Sequence, residues 1–157
     1  MILRRLEGQR FSEVMREWEG ETVAILAGGP SLTAEHAQRV KAAGLRTIAV
    51  NDSYLLAPFA DVCYFADSQW WSWHAKREQF LSFQGQKCSI ERSGSNIKDD
   101  EVHVLRNKTL LDPRAVVPGK NSGFQAMNLA ILAGAKTILL LGFDGKSGPN
   151  GETHWHG

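Results

Sequence analysis

Short, continuous apolar runs that end in glycine or polar residues constrain the fold of this chain more than any other feature of its sequence. Runs of this length are typical of strands buried on both faces of a parallel sheet. Helical patterns separate them, and this alternation requires right-handed crossovers. We therefore predict an α/β fold, a single Rossmann-like domain over residues 1–157 with a mostly parallel sheet flanked by helices. The predicted strands are Thr22–Ala27, Thr47–Val50, Asp61–Ala66 and Thr137–Leu141.

Local signals predict where the helices begin and end. Thr33 can cap a helix after the first strand, and Gly44 is placed to terminate that helix. Ser68 is the predicted cap of a helix after the third strand. A further helix begins at Ser122, where Ser122-x-x-Gln125 has the spacing of a capping box.

Three segments depart from this alternation. Residues 1–20 carry apolar side chains at helical spacing and are predicted to form an N-terminal helical segment. Residues 82–120 are predicted to be an irregular insertion, in which Lys87–Ile90 and Val102–Leu105 could form short strands. For the glycine-rich tail, 145–157, two alternatives stay open: the natural chain ends there, or the tail is truncated.

Composition narrows the functional classes. The net charge of +1 is too small for the electrostatic footprint of a duplex-DNA-binding protein, so nucleic acid is not an expected partner. Cys63 and Cys88 lie in apolar runs and are too few for a disulfide framework, which indicates buried, reduced thiols. No apolar run reaches membrane-spanning length, and the N-terminus lacks a signal-peptide core. These features predict a cytoplasmic protein without a membrane segment.

The predicted strand ends carry the residues that could bind a ligand. Ligands of open parallel sheets bind outside the carboxyl ends of the strands. The clearest motif there is Gly28-Gly29-Pro30-Ser31, where glycines allow close backbone approach and the next helix offers N–H groups to an anion. A plain strand-to-helix turn is the alternative. The loop is neither a GxGxxG fingerprint nor a P-loop, and neither a nicotinamide nor a flavin cofactor is expected.

The other strand ends have both a functional and a structural interpretation. Asn51 and Asp52 can bind a base, a ribose or a sugar hydroxyl, or they can form an Asx turn. Asp67 and Asp144 can hold Mg²⁺ through carboxylates and bridging waters, or they can serve as a helix cap and a loop residue. If the strands are parallel, all four residues lie at one edge of the sheet and can converge.

Residues near the last helix and in the tail complete the predicted site. Ser122 and Gly123 can receive a phosphate at the helix N-terminus, or they can belong to the capping box alone. His154 and His156 alternate and lack further metal-ligand neighbours, so a general acid or base is favoured over zinc, with disordered terminal histidines as the alternative. Three aromatic residues could stack on a base or sugar or pack in the core: Trp70, Trp71 and Trp73.

The order and spacing of these motifs resemble a set shared by two families. One is the bacterial lipooligosaccharide sialyltransferases, which have a Rossmann-like fold. The other is the archaeal-type pterin pyrophosphokinase-like proteins. Short bacteriophage and prophage proteins of unassigned function are also similar, and their tails resemble Thr153-His154-Trp155-His156-Gly157. The motifs that carry the resemblance are Gly28-Gly29-Pro30-Ser31-Leu32, Asn51, Asn121-Ser122-Gly123 and Gly142-Phe143-Asp144.

The sialyltransferase resemblance implies a nucleotide-sugar donor. In those enzymes the loop that matches Gly28-Gly29-Pro30-Ser31 and a later asparagine that matches Asn51 hold the CMP part of the donor. The residues that match Ser122 and Gly123 also lie at the nucleotide. This chain departs from the pattern at its first loop position, where a glycine stands in place of the asparagine of those enzymes.

The resemblance also suggests residue roles in catalysis. A histidine after the last core strand is the general base of the sialyltransferases, and its candidates here are His154 and His156. The pyrophosphokinase-like proteins use ATP and Mg²⁺, which would give Asp67 and Asp144 a role in metal binding.

The sequence as a whole predicts a nucleotide-dependent transferase of the glycosyltransferase type, with a nucleotide or nucleotide-sugar as ligand and Mg²⁺ as a candidate cofactor. A first alternative is a non-catalytic, phage-encoded binding or assembly protein, which would reside in the host cytoplasm. A second is an ATP- and Mg²⁺-dependent enzyme of the pyrophosphokinase type. The acceptor is left open, and so is the oligomeric state, with a homo-oligomer as one option.

Overall fold

The computed structural model describes residues 1–91, 97, 101–107, 115–116 and 121–156. The helices are α1 (Ala34–Ala42), α2 (Ser68–His74), α3 (Glu78–Leu81) and α4 (Ser122–Leu132), and a 3₁₀ helix spans Asn51–Leu55. The strands are β1 (Leu3–Arg4), β2 (Glu13–Val14), β3 (Thr22–Leu26), β4 (Arg46–Val50), β5 (Val62–Phe65), β6 (Gln86–Ile90), β7 (Val102–Asn107), β8 (Ala115–Val116) and β9 (Thr137–Leu141).

Six parallel strands form the main sheet, in the order β7-β6-β5-β4-β3-β9, and the short strand β8 extends it beyond β7. The chain moves outward from β3 to β7 and then returns to place β9 on the other side of β3. The direction of strand order therefore reverses between β3 and β9, which is where open α/β sheets form a ligand crevice. The predicted Rossmann-like α/β fold is confirmed.

Helices cover both faces of the sheet and create two apolar cores. On one face α1, the 3₁₀ helix, α2 and α3 pack over Leu26, Ala49 and Phe65, and we call this the α1-side core. On the other face α4 and the β1–β2 hairpin pack over Ile25 and Ile48, and we call this the α4-side core. Alternate strand residues serve opposite cores, which is why the strands are continuous apolar runs. Burying each large side chain contributes about 1.5–3 kcal/mol.

Strand β9 is apolar but less buried than its sequence suggests. It pairs with β3 alone in the described part of the sheet, at the edge. Leu139 and Leu140 lie on opposite faces and remain 41% and 39% exposed. The prediction of a strand at this position is confirmed, and both of its faces stay partly exposed because no neighbouring element covers its outer half in the described residues.

The predicted N-terminal helix is also wrong. Within residues 1–20, β1 and β2 pair in antiparallel fashion, with Leu3 opposite Val14. Backbone N–H groups of this segment reach other parts of the fold: Trp18 donates to the carbonyl of Ala133 at 2.9 Å. Val14 and Trp18 are both buried in the α4-side core. Their spacing fits one face of a helix, but they belong to a hairpin segment that packs against distant parts of the chain.

The segment 82–120 is more regular than predicted. β6 and β7 lie there as full members of the parallel sheet, so the prediction of an irregular insertion is wrong for these residues. The short strands expected at Lys87–Ile90 and Val102–Leu105 are confirmed. Much of the rest of the insertion lies outside the described residues.

In two helices the N-cap is the residue before the predicted one. Asp67, not Ser68, caps α2, and its carboxylate accepts from the backbone N–H of Gln69 at 2.7 Å. Asn121, not Ser122, caps α4. The capping-box prediction fails because the Gln125 side chain turns into the α4-side core and accepts a hydrogen bond from Tyr64. None of the helices in the described part of the chain has the length and apolar character needed to cross a membrane.

Candidate functional site

A cleft of about 870 Å³ opens at the carboxyl edge of the sheet, where strand order reverses. The ends of β3, β4, β5 and β9, the start of α4 and the tail all contribute to it. Eleven of the twelve predicted site residues line it; the exception is Ser31, which lies beside it in the loop. The predicted residues that line it are Gly28, Gly29, Pro30, Asn51, Asp52, Asp67, Ser122, Gly123, Asp144, His154 and His156.

The glycine loop is held tightly against the end of β9. The backbone N–H of Gly29 donates to the carbonyl of Gly142 at 2.9 Å, and a Cβ at Gly29 would overlap the Asp144 carboxylate and lie 2.5 Å from that same carbonyl oxygen. The backbone N–H of Ser31 donates to Asp144 at 3.0 Å. Hydrogen bonds from the side chain and backbone of Ser31 lower the pKa of Asp144. Only glycine fits at position 29, and Asp144 holds the loop as an ionised carboxylate.

Asn51 has an uncommon backbone conformation at the end of β4. Its φ of 52° is in the left-handed region, which costs a residue other than glycine about 1 kcal/mol or more. Its side-chain Oδ1 is buried and accepts no hydrogen bond from the described residues. Strained backbone and unsatisfied buried acceptors both occur preferentially at functional sites, and Asn51 combines the two in the wall of the cleft.

Asp52 connects the cleft to the α1-side core through both of its carboxylate oxygens. Oδ2 lies 2.9 Å from Nε2 of His156. Oδ1 accepts from the indole N–H of Trp70 at 2.6 Å and lies 3.1 Å from Nε2 of His74. On the far side of that ring, Nδ1 of His74 lies 2.9 Å from the Tyr54 hydroxyl. We call these five residues the Asp52 network.

The tail is seated on the glycine loop. The backbone N–H of Trp155 donates to the carbonyl of Gly28 at 3.0 Å, and the Trp155 side chain packs against the α1-side core. A Cβ at Gly28 would lie 3.3 Å from Nδ1 of His154. The rings of His154 and His156 stack with centroids 5.3 Å apart. Both histidines therefore lie at the cleft, and only His156 contacts Asp52.

Other predicted residues have structural roles as well as cleft positions. Asn121 caps α4 by accepting from the backbone N–H groups of Gly123 and Phe124 at 2.9 and 3.2 Å. A Cβ at Gly123 would lie 2.6 Å from the Phe143 ring, so this position also requires glycine. Asp67 caps α2 while its side chain lines the cleft. No group of three or more metal-binding side chains occurs among the described residues.

One charged cleft residue, Lys146, was not assigned from the sequence, and the structure separates the roles of two tryptophans that were. Lys146 is the one lysine or arginine among the described lining residues, and it follows Asp144 by two positions, where a strand-end loop could have suggested it. Trp73 lines the cleft and is 60% exposed, whereas Trp70 is buried and stacks on His74 with centroids 4.1 Å apart. Trp73 can therefore stack on a ligand, and Trp70 belongs to the core.

The charges of the cleft limit the ligands it can hold. Among the described lining residues there are three aspartate carboxylates, Asp52, Asp67 and Asp144, and one ammonium group, that of Lys146. A ligand with several uncompensated negative charges would meet repulsion in this arrangement. The site is best matched to a polar ligand of low negative charge, or to a phosphate chain that carries its own cation.

Comparison of the chain with protein-family models, with curated proteins and with solved structures found no match. The resemblance of its motifs to the sialyltransferases and the pyrophosphokinase-like proteins stays a prediction.

Proposed function

We propose that this protein is a nucleotide-dependent transferase of the glycosyltransferase type, which binds a nucleotide-sugar in the cleft and uses His156 as its general base. The observation that carries the proposal is the 2.9 Å contact between Nε2 of His156 and Oδ2 of Asp52 in the wall of a cleft of about 870 Å³. A carboxylate that orients a histidine is a recurrent arrangement for general-base catalysis, and the cleft is within the volume range of small-molecule sites.

The nucleotide part of the donor is assigned to the glycine-rich side of the cleft. Gly28 and Gly29 line this side, so the loop backbone borders the donor, and Gly123 does the same at the start of α4. The side-chain amide of Asn51, which lines this part of the cleft, offers a donor and an acceptor to a base or ribose. The exposed indole of Trp73 would stack on a flat ring or on an apolar sugar face.

Charge favours a nucleoside monophosphate sugar over ATP. A triphosphate would bring several negative charges to a cleft whose described lining has three carboxylates and one lysine. A monophosphate diester brings one, which Lys146 can compensate. If Mg²⁺ takes part, Asp67 and Asp144 are the carboxylates that would complete its ligand set beside the donor phosphate.

The transfer step would follow from the orientation of His156. Asp52 accepts only, so Nε2 of His156 carries the proton toward Asp52 and the lone pair lies on Nδ1. Nδ1 removes the proton of the acceptor hydroxyl while the acceptor oxygen bonds to the anomeric carbon. The bond from that carbon to the phosphate oxygen breaks, its electron pair stays on the phosphate, and Lys146 stabilises the charge. Asp52 stabilises the imidazolium that forms.

A thermal-shift panel tests the proposal. We expect one class of nucleotide to raise the melting temperature among CMP, CTP, CMP-sialic acid, UDP-sugars, ATP and GTP, each with and without Mg²⁺. A ligand at about 100 times its dissociation constant adds about 2.7 kcal/mol, which corresponds to roughly 5–10 °C in a domain of this size.

Two results would decide against the enzyme. If none of the nucleotides raises the melting temperature, the nucleotide site is wrong and a non-catalytic binding or assembly role takes its place. If a nucleotide-sugar binds and is turned over by the His156→Gln variant as fast as by the wild type, the proposed base is wrong. Replacing His154 and His156 together should abolish turnover and spare nucleotide binding.

A further inference from the structure

A chain of polar groups runs from the interior of the α1-side core to His156. Tyr54 is 1% exposed and His74 is 3% exposed, and both are surrounded by aromatic rings. Their contact of 2.9 Å continues through the 3.1 Å contact between His74 and Oδ1 of Asp52. Asp52 then meets His156 at 2.9 Å on the cleft side. The proposed transfer step uses only Asp52 and His156 of this chain.

The chemistry of the groups fixes the direction of every hydrogen bond in this chain. The Asp52 carboxylate can only accept, so the proton of the neutral His74 ring must lie on Nε2. Nδ1 of His74 is then without a proton and must accept, so the Tyr54 hydroxyl donates to it. Burial lowers the pKa of His74 and raises the pKa of Tyr54 to about 12, which keeps both groups neutral at physiological pH.

This arrangement leaves the two oxygens of Asp52 with separate partners. Oδ1 is occupied by the N–H groups of Trp70 and His74, which come from adjacent turns of α2. Oδ2 is directed to His156. A carboxylate held by two donors on one oxygen has little freedom to rotate, and its other oxygen stays in place for the tail histidine.

Packing alone does not require these polar groups. Apolar side chains of the same shape could fill the space with no buried donors or acceptors to satisfy, and such replacements are often neutral or stabilising. The α1-side core nevertheless contains a hydrogen-bonded tyrosine and histidine that end at a cleft carboxylate. A role in orienting the cleft residues accounts for them.

We propose that Tyr54 and His74 are positioning residues that lock the Asp52 carboxylate and, through it, hold the His156 ring with Nδ1 as the basic nitrogen. This inference rests on the proposed function, because it concerns the base of that reaction. Its structural part is that Asp52 holds the N–H of His156 only when Tyr54 and His74 are intact. That part can be tested without any substrate.

The test is the exchange of the His156 imidazole N–H proton with water, measured by ¹H–¹⁵N NMR on the full chain. A hydrogen bond to a well-placed carboxylate slows this exchange. We expect the His74→Phe variant, which keeps a ring against Trp70, to speed the exchange about tenfold or more, the loss expected when a hydrogen bond to a charged group is weakened. Tyr54→Phe should have the same effect to a smaller degree. The His156→Gln variant identifies the signal by its absence.

Tyr64→Phe is the matched control. Tyr64 is also fully buried, and its hydroxyl donates to Gln125 at 3.1 Å on the other face of the sheet. It should lower stability without changing the exchange of the His156 proton. If His74→Phe and Tyr54→Phe both leave the exchange unchanged, or if the wild-type proton already exchanges freely, the positioning role is overturned. Nucleotide binding in the thermal-shift panel is independent of this result, so failure of the positioning role and failure of the proposed function are distinguishable.

Discussion

The two cores of this protein each bury a tyrosine that makes a side-chain hydrogen bond, and the two bonds lead to different places. Tyr64 in the α4-side core donates to Gln125 on the covering helix, and both groups are buried. Tyr54 in the α1-side core contacts His74, which contacts Asp52 in the wall of the cleft. The chemistry at the tyrosine is similar. The difference teaches that a buried polar group indicates function when its hydrogen-bonded partners continue to a ligand-accessible surface.

The largest expected effect is a loss of kcat that distinguishes the Asp52 network from the hydrogen-bonded pair Tyr64 and Gln125. Asp52→Asn and His156→Gln should each lower kcat by about 10²–10⁴-fold, the usual contribution of a general base, while the dissociation constant of the nucleotide changes little. Tyr64→Phe should leave kcat unchanged. Steady-state kinetics with the donor that the thermal-shift panel selects would measure this. Equal losses of kcat in the Tyr64 and Asp52 variants would remove the distinction between the two cores.

The glycine loop gives the next effect. Gly29→Ala should weaken nucleotide binding at least about tenfold and destabilise the protein by about 1–3 kcal/mol, because the new methyl group overlaps Asp144 and crowds the backbone of Gly142. Gly28→Ala is the control for stability, since its methyl group would meet only Nδ1 of the His154 side chain at 3.3 Å. Calorimetric titration would measure binding and urea unfolding would measure stability. A Gly29→Ala variant that unfolds like Gly28→Ala would contradict the packing of this loop.

A smaller effect concerns stability in the α4-side core. Tyr64→Phe removes the donor to the buried side chain of Gln125 and should lower the free energy of unfolding by about 1–3 kcal/mol. Tyr54→Phe should cost a similar amount, because it leaves Nδ1 of the buried His74 without its donor. Urea denaturation would compare them. The two cores would differ in stability as well as in function if one variant cost several times more than the other.

The smallest effect is a pH dependence that involves both faces of the sheet. Burial lowers the pKa of His74, and burial followed by the charge of Arg5 lowers the pKa of His103. Below the ordinary histidine pKa of 6.5 the unfolded chain therefore binds protons that the folded protein does not, and the free energy of unfolding falls as the pH drops. Each histidine contributes a slope of no more than about 1.4 kcal/mol per pH unit.

Urea unfolding between pH 7 and pH 5 would measure this slope. His74→Gln and His103→Gln should each reduce the dependence of the free energy of unfolding on pH. The quantity to compare between each variant and the wild type is this slope, not the stability at one pH. A steeper slope in either variant would show that the replaced histidine is protonated in the folded protein, contrary to its buried environment.

Much of the fold could be predicted from the sequence because short apolar runs report burial on both faces of a strand. The same pattern could not report that β9 lies at an edge, since an edge strand that is apolar on both faces has the sequence of a central one. The N-terminal hairpin was missed for a similar reason. The spacing of Val14 and Trp18 fits a helix, and only their contacts with distant strands and α4 show otherwise.

The candidate site could be predicted as a set of strand-end residues and not as a mechanism. Parallel strands bring Gly28, Asn51 and Asp144 to one edge, so their convergence follows from the fold. The contact between Asp52 and His156 joins residues far apart in sequence and depends on how the tail packs over the glycine loop. The strand-end pattern carries no signal for that packing, and it suggested a nucleotide ligand for Asp52 where the structure shows a histidine partner.

The measurement that tests the central claim most directly is a titration of the ¹⁵N-labelled protein with CMP and with CMP-sialic acid, followed by ¹H–¹⁵N correlation spectra. If the cleft is a nucleotide site, the backbone signals of Gly28, Gly29, Asn51 and Gly123 should shift in proportion to occupancy, while those of Tyr64 and Gln125 stay in place. Saturating nucleotide that leaves the four cleft signals unchanged, or that shifts signals only at the opposite edge of the sheet, would contradict the account.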